Sequence, residues 1–203
     1  MSDSLDKVSW PIRTPRLVLH RLEAGDAQAT WEYRKLPEVQ RWITSGAANF
    51  EEYLGQFMAA KRYAYDVAVE LTDANGQPRL IGTVMVKVQD GWGQSEIAAT
   101  ARGVEAEIGW SFNPVDGGQG YASEAVSCVL DLCFGPLGLR RVVAECFADN
   151  EPSWRLMERI GMRREGYGVQ SGLHREGQWL DSMSYAILAD EWLARSERDQ
   201  TLL

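Results

Sequence analysis

The stretch "NPVDGGQGYASEAVSCVLDLC", Asn113 to Cys133, carries three readings in a row. Asn113-Pro114 closes the segment Glu105 to Phe112, which reads as a strand, because proline offers no amide hydrogen to a ladder and restrains the residue before it. "DGGQGYA", Asp116 to Ala122, is a glycine-rich turn in which the backbone can take unusual dihedrals and approach a ligand closely. Behind it Ala122, Val126, Val129, Leu130 and Cys133 fall at i, i+4, i+7, i+8 and i+11, the spacing of a helix with one buried stripe. Strand, proline, glycine turn and helix in that order present unpaired backbone N–H groups and the positive end of a helix to the loop, which suits phosphate oxygens. An ordinary tight turn has the same look, so both readings stand on this stretch alone. The Lys-Ser/Thr pair of a P-loop is missing and the glycines do not fit G-x-G-x-x-G, which argues against triphosphate and dinucleotide sites.

Working outward, "RLVLHR" (Arg16 to Arg21) alternates Leu17 and Leu19 with polar neighbours and predicts a strand. Asp26 is placed to cap a helix reaching about Lys35, and Phe50 to Tyr63 predicts a second helix after Thr44-Ser45-Gly46. Val67, Val69 and Leu71 alternate, Asp73-Ala74-Asn75-Gly76 supplies turn residues, and Leu80 to Val88 resumes an apolar strand, together a hairpin. Gln89 to Val104 reads as a long loop, with Trp92 expected to pack it down or to cover a substrate or partner.

The chain has 203 residues, 45% of them hydrophobic and 25% charged, without repeats or low-complexity tracts, so a single domain is expected. Twenty-one Lys and Arg against 29 Asp and Glu leave a net charge of −8, which argues against a nucleic-acid partner. The basic pairs Arg140-Arg141 and Arg163-Arg164 are expected to be solvated or to lie near phosphates. No run approaches the roughly 18 apolar residues of a membrane span, and Met1 to Trp10 is too polar for a signal peptide, so a cytoplasmic protein without a membrane partner is expected. Cys128, Cys133 and Cys146 lack metal-ligand spacing and read as buried thiols. With only His20 and His174 as imidazoles no zinc shell forms, no metal is expected, and no G-x-S-x-G elbow supports a hydrolase.

Six segments in register resemble the GNAT superfamily of acyl-CoA N-acyltransferases, closest to its ribosomal-protein alanine N-acetyltransferase (RimJ/RimL-type) branch. They are "TPRLVLHRLEAGDA" (Thr14 to Ala27), "IGTV" (Ile81 to Val84), "EIGWSFNP" (Glu107 to Pro114), "GQGYASEAV" (Gly118 to Val126), "FGPLGLRRVVAECFADNEPSWRLMERIGMRREG" (Phe134 to Gly166) and "GQWLDSMSYAIL" (Gly177 to Leu188). The resemblance implies an α/β fold: a single GNAT-like domain over 1–203 with its core at about 14–192. A mixed central sheet of about six or seven strands would be flanked by helices, between an N-terminal extension 1–13 and a C-terminal tail 193–203.

It also implies acetyl-CoA as cosubstrate, with its pantetheine between two splayed parallel strands, Glu107 to Phe112 and Arg141 to Cys146, and its diphosphate on the N–H groups of Gly118 to Ala122. Ile108, Trp110 and Phe112 on the strand, Gly117, Gly118, Gln119, Gly120, Tyr121, Ala122 and Ser123 in the loop and helix start, and Asn150 are the residues it assigns to the cofactor. Gly117 stands at the R/Q position of the family's R/Q-x-x-G-x-G/A pattern, so one side-chain contact is missing there.

The chemistry asks for a base toward the amine and a proton for the departing thiolate. Glu107 is the candidate base; by alternation it shares a face with Glu105, and a solvated strand edge is the competing reading of both. Met157 stands where many family members carry the proton-donating tyrosine, so the resemblance moves that role to Ser153, which otherwise reads as a helix N-terminal hydroxyl. Trp154, Met157 and Ile160 at helical spacing read as core. His174 and Glu176 fall in the stretch that helps form the acceptor site in Rim-type enzymes, and read otherwise as exposed loop residues. The expected activity is acetyl transfer to a primary amine, a protein N-terminus first and a small molecule or lysine second, with a non-catalytic CoA-binding module as the reading from another class. The same relatives leave a homodimer open.

Overall fold

In a computed structural model that describes residues 4–59, 64–72 and 76–201, the chain falls into two compact units, 1–86 with 109–128, and 87–108 with 129–203. The first unit carries β1 (Ile12–Arg13), β2 (Leu17–Arg21), β3 (Asp66–Thr72) and most of β4 (Pro78–Gln89), hydrogen bonded in that order. β2 pairs antiparallel with β3, Leu19 opposite Val69, and β3 with β4, Val67 opposite Val84, with a bulge at Val69/Glu70. The expected hairpin is therefore present; its turn residues 73–75 lie outside the described residues. Leu17, Leu19, Val67, Val69 and Val84 are all buried, the pattern of strands covered on a face by helices.

Those helices are α1 (Ala27–Arg34), the single turn α2 (Pro37–Gln40) and α3 (Phe50–Ala59). Trp31 of α1 stacks on Tyr53 of α3 at 5.2 Å between centroids, and Phe57 and Ala68 complete that cluster. One local expectation shifts. Asp26 precedes α1 but makes no side-chain cap; its carboxylate accepts from the Glu23 backbone N–H at 2.8 Å and closes the short turn before the helix. The proposed end of the second helix, 60–63, lies outside the described residues.

The second unit holds the first half of β5 (Glu105–Phe112), β6 (Arg141–Phe147), β7 (Arg163–Leu173) and β8 (Trp179–Leu188), in the order β5-β6-β8-β7. β5 and β6 are parallel; β8 is antiparallel to both its neighbours. α4 (Tyr121–Phe134) passes from the first unit to the second, and α5 (Glu151–Arg159) and α6 (Ala189–Thr201) belong to the second. The stripe read from the α4 sequence is real for Val126, Val129, Leu130 and Cys133, all fully buried, whereas Ala122 is half-buried and Ala125 takes its place in the core. Met157 and Ile160 are core, as expected, and Trp154 is half-buried with its indole N–H on Ala148 O at 3.1 Å.

Eight strands are described against the six or seven expected. The short β1 adds one, because Ile12 pairs with Leu19, and nearby Leu5 is fully buried. At the other end Trp192 of α6 is buried and donates to Asp131 of α4 at 2.8 Å.

Candidate functional site

In the first unit the glycine loop takes the form the sequence predicts. Asn113 Oδ1 accepts from Val115 N, opening a short 3-10 turn at Pro114–Asp116. Gly118 and Gly120 adopt φ of +76° and +79°, a region L side chains avoid. Gly117 N and Glu124 N donate to Pro114 O and Gly120 O, and none of the N–H groups of Gly118, Gln119, Gly120, Tyr121 or Ala122 donates a hydrogen bond among the described residues. Successive unpaired donors at the start of a fourteen-residue helix form an anion cradle.

Two arginines from distant parts of the chain, Arg79 on β4 and Arg16 just before β2, flank this loop. Arg79 of β4 forms a two-pronged pair with Asp116, at 2.9 and 2.6 Å. Arg16 places Nε 2.6 Å from Glu124 Oε2, donates Nη1 to Gln119 O at 2.8 Å and lies 4.7 Å from the Tyr121 ring centroid. Glu124 also accepts from Thr14 Oγ1 and Arg16 N. Burial alone would push the Glu124 carboxyl up, but the hydrogen bonds from Thr14 and Arg16 and the Arg16 charge together hold it below its ordinary value.

In the second unit the parallel ladder pairs Glu105 with Arg141, Ala106 with Val142 and Glu107 with Val143, and goes no further; β6 continues to Phe147 against β8 on its other side. On β5 Ala106 and Ile108 are buried while Glu105 and Glu107 are half-buried, so the two carboxylates share a face as alternation requires. Their surroundings differ. Glu105 is claimed by Arg140 and Arg141, while the Glu107 carboxylate makes no hydrogen bond or ion pair among the described residues. Of the strand residues assigned to the cofactor, Ile108 has a buried side chain, and Trp110 and Phe112 are half-buried. The Phe112 ring, within the first unit, lies so close to β4 that a Cβ on Gly82 would sit 2.3 Å from it, which accounts for the glycine of "IGTV".

Asn150 precedes α5 as its N-cap residue without a side-chain cap, and its backbone carbonyl accepts from Ser153 N at 3.1 Å. The Ser153 side chain stands beside the Cys146 thiol of β6 and acts on its protonation. Burial pushes that thiol up to about 11, with the Ser153 side chain pulling the other way, so Cys146 is a neutral neighbour and not a thiolate. Cys133 is pushed up to about 12 by burial and is an inert core thiol. On β8, Tyr185 donates to Glu158 at 3.0 Å; burial first, and then Glu158, raise its phenol to about 12.

Two expectations are overturned, those of Trp92 and His174. Trp92 is 92% exposed and does not pack the loop down. His174 is only 3% exposed, neither a loop residue in solvent nor open to an amine, because its ring packs edge-on against Phe147 at 5.5 Å between centroids. Arg140, Arg141 and Arg163 keep part of their side chains exposed and form ion pairs with Glu105, Glu165 and Glu191. Sequence reading also missed Arg34. It is 7% exposed, donates Nη1 to Ser111 Oγ at 2.8 Å beside the Tyr33 and Thr83 hydroxyls, and leaves Nε without a partner. Its place at the end of α1 hides that signal, since an arginine closing a helix reads as solvated.

Among the described residues no group of three or more His, Cys, Asp or Glu side chains is placed to hold a metal ion, and no helix is long and apolar enough to cross a membrane.

Comparison with known proteins gives the class to which these elements belong. Residues 16–163 match the family model of the acetyltransferase (GNAT) domain, and the chain belongs to that family. It is 32% identical over 184 residues to the uncharacterized N-acetyltransferase YnaD of Bacillus subtilis (strain 168), a match covering 89% of this chain and 98% of YnaD. The solved structure of a GNAT-family acetyltransferase from Bacillus anthracis is similar with a TM-score of 0.72 and 32% identity, covering 89% of this chain and 99% of that one. A ribosomal-protein-S5-alanine acetyltransferase from Vibrio fischeri shares the fold alone, at 19% identity and a TM-score of 0.67 over 91% of this chain and 99% of its own. The protein is accordingly an N-acetyltransferase.

Proposed function

We propose that this enzyme takes its acetyl group from acetyl-CoA and delivers it to a protein N-terminal α-amine. The observation that carries the cosubstrate is the run of unpartnered N–H donors from Gly118 to Ala122. They suit a diphosphate, and the open backbone of β6 beyond Val143 suits the amides of a pantetheine arm. Acetyl-CoA, when bound, supplies a thioester carbonyl open to attack by an amine. Everything else is asked of the chain.

Glu107 takes the proton of the incoming ammonium on its carboxylate, directly or through one water; its lack of any other partner leaves both oxygens available. Ser153, beside the neutral Cys146 thiol, gives its hydroxyl proton to the departing sulfur. An α-amine with a pKa of about 8 is roughly 10% neutral at pH 7, whereas a lysine amine near 10.4 is only about 0.04% neutral. A single carboxylate base therefore meets a far smaller demand with an α-amine, which is why we place a protein N-terminus first.

The test is thiol release from acetyl-CoA over a panel of amines: peptides with free N-termini, N-terminally blocked lysine peptides, polyamines and aminoglycosides. Turnover is expected on free N-termini and not on blocked lysine peptides. Turnover confined to polyamines or lysine would move the acceptor class, and binding without turnover on any amine would make the chain a CoA-binding module.

A further inference from the structure

The family's loop pattern asks for an arginine or glutamine where this chain has Gly117, and a backbone cradle alone leaves a diphosphate's charge uncompensated. From the geometry around Arg16 we infer that this residue, 101 positions earlier in the chain by the difference of 117 and 16, supplies the missing guanidinium and holds the CoA diphosphate. The inference rests on the acetyl-CoA reading above and adds the residue that reads the phosphates.

Five observations support it. Arg16 is anchored to the loop itself, through Nη1 on Gln119 O at 2.8 Å, so its head group is fixed beside the open donors. Its remaining nitrogen, Nη2, makes no hydrogen bond among the described residues and stands 3.5 Å from where a Cβ on Gly120 would be, on the bare side of the second positive-φ glycine. The Arg16 side chain is 45% exposed, so the fork is open to a ligand. Glu124 does not cancel its use: that carboxylate also accepts from Thr14 Oγ1 and Arg16 N, so its charge is spread over several donors while it aligns the guanidinium. The Tyr121 ring, 4.7 Å away, closes a third side. A planar fork with one edge tied down and one nitrogen free is suited to a phosphate oxygen in a way a flexible lysine is not.

The experiment is a calorimetric titration of the full chain with CoA, 3′-dephospho-CoA and pantetheine. The wild-type protein is compared with Arg16→Gln and Arg16→Lys, each checked by far-UV melting. Loss of a hydrogen bond to a charged group predicts that Arg16→Gln weakens CoA and 3′-dephospho-CoA alike by about 10- to 100-fold and leaves pantetheine unchanged. Arg16→Lys keeps the charge and gives a smaller loss with the same ligand pattern; it carries the test should Arg16→Gln not fold. Equal weakening of all three ligands would make Arg16 a purely structural tie, and weakening of CoA without 3′-dephospho-CoA would assign it to the 3′-phosphate; either overturns the inference. Wild-type preference for CoA over pantetheine that survives both substitutions sinks Arg16 alone, whereas a wild-type protein that binds none of the ligands sinks the acetyl-CoA reading with it.

Discussion

The N-terminal turns of α4 and α5 are built from similar parts and reach opposite states. At α4 the donors from Gly118 to Ala122 are unpartnered, two glycines hold positive φ, and arginine–carboxylate pairs stand on both flanks. At α5 only Glu151 N is open among the described residues: Pro152 has no N–H, Ser153 N and Trp154 N donate to Asn150 O, and the Ser153 side chain stands beside a neutral thiol. One helix start offers a run of donors to an anion, and the other offers a single one beside a neutral proton donor. A turn of helix thus acquires its chemistry less from its dipole than from which donors the surrounding chain leaves unpaired.

Removing the base should give the largest effect. Glu107→Gln is expected to lower kcat by about 10²- to 10⁴-fold while the midpoint shift produced by acetyl-CoA is retained, because the residue acts on the amine and not on the phosphates. Steady-state kinetics beside thermal unfolding separates the two, and a lost shift with unchanged kcat would reverse the assignment. Ser153→Ala should cost about 10-fold in kcat, less than the base, since a thiolate leaves readily even without a full proton. An unchanged kcat would remove α5 from the chemistry and leave Ser153 as a neighbour of Cys146.

Gly120→Ala sharpens the other side of the contrast. It forces an alanine to φ of +79° beside Arg16, at a cost of about 1–2 kcal/mol, or roughly 2–8 °C in the midpoint for a chain of this size. The acetyl-CoA shift should shrink as well; a variant as stable and as responsive as the parent would show that the loop does not need this conformation.

The smallest effect belongs to the ion pairs of the second unit, which hold sheet strands and not a loop. Hydrogen bonds from Arg141 and then Arg163 hold the Glu165 carboxyl down at about 2. A depressed carboxylate contributes stability that is complete above its unfolded value near 4.5 and is lost as pH falls toward 2. Because the pairs are solvent-accessible, Glu165→Gln should cost about 1 kcal/mol or less at pH 7, and the gap between variant and parent should close between about pH 4.5 and 2. Melting curves across that range check it; a gap that widens on acidification has the wrong sign.

Much of this was legible locally. The strand Glu105–Phe112 and the buried α4 stripe follow from periodicity, and the open loop from glycine and proline chemistry. What was not legible depends on partners far along the chain. Arg16 in "TPRL" looks like the polar start of a strand until Glu124, 108 positions away, is seen to hold it. Arg34 looks like a helix-end cation until Ser111 of β5 is found against it. His174 is buried because its ring meets Phe147, a distant neighbour about which the local pattern is silent, while Trp92 is the reverse case, exposed where packing was expected.

The most direct test of the account is thermal unfolding with acetyl-CoA and CoA, with ATP as control. A ligand at 100 times its Kd stabilises the folded state by about 2.7 kcal/mol, and each kcal/mol raises the midpoint of a chain this long by roughly 2–4 °C. The account predicts a rise of about 5–11 °C with both thioester and thiol and none with ATP. No rise at saturating acetyl-CoA, or an equal rise with ATP, would contradict it.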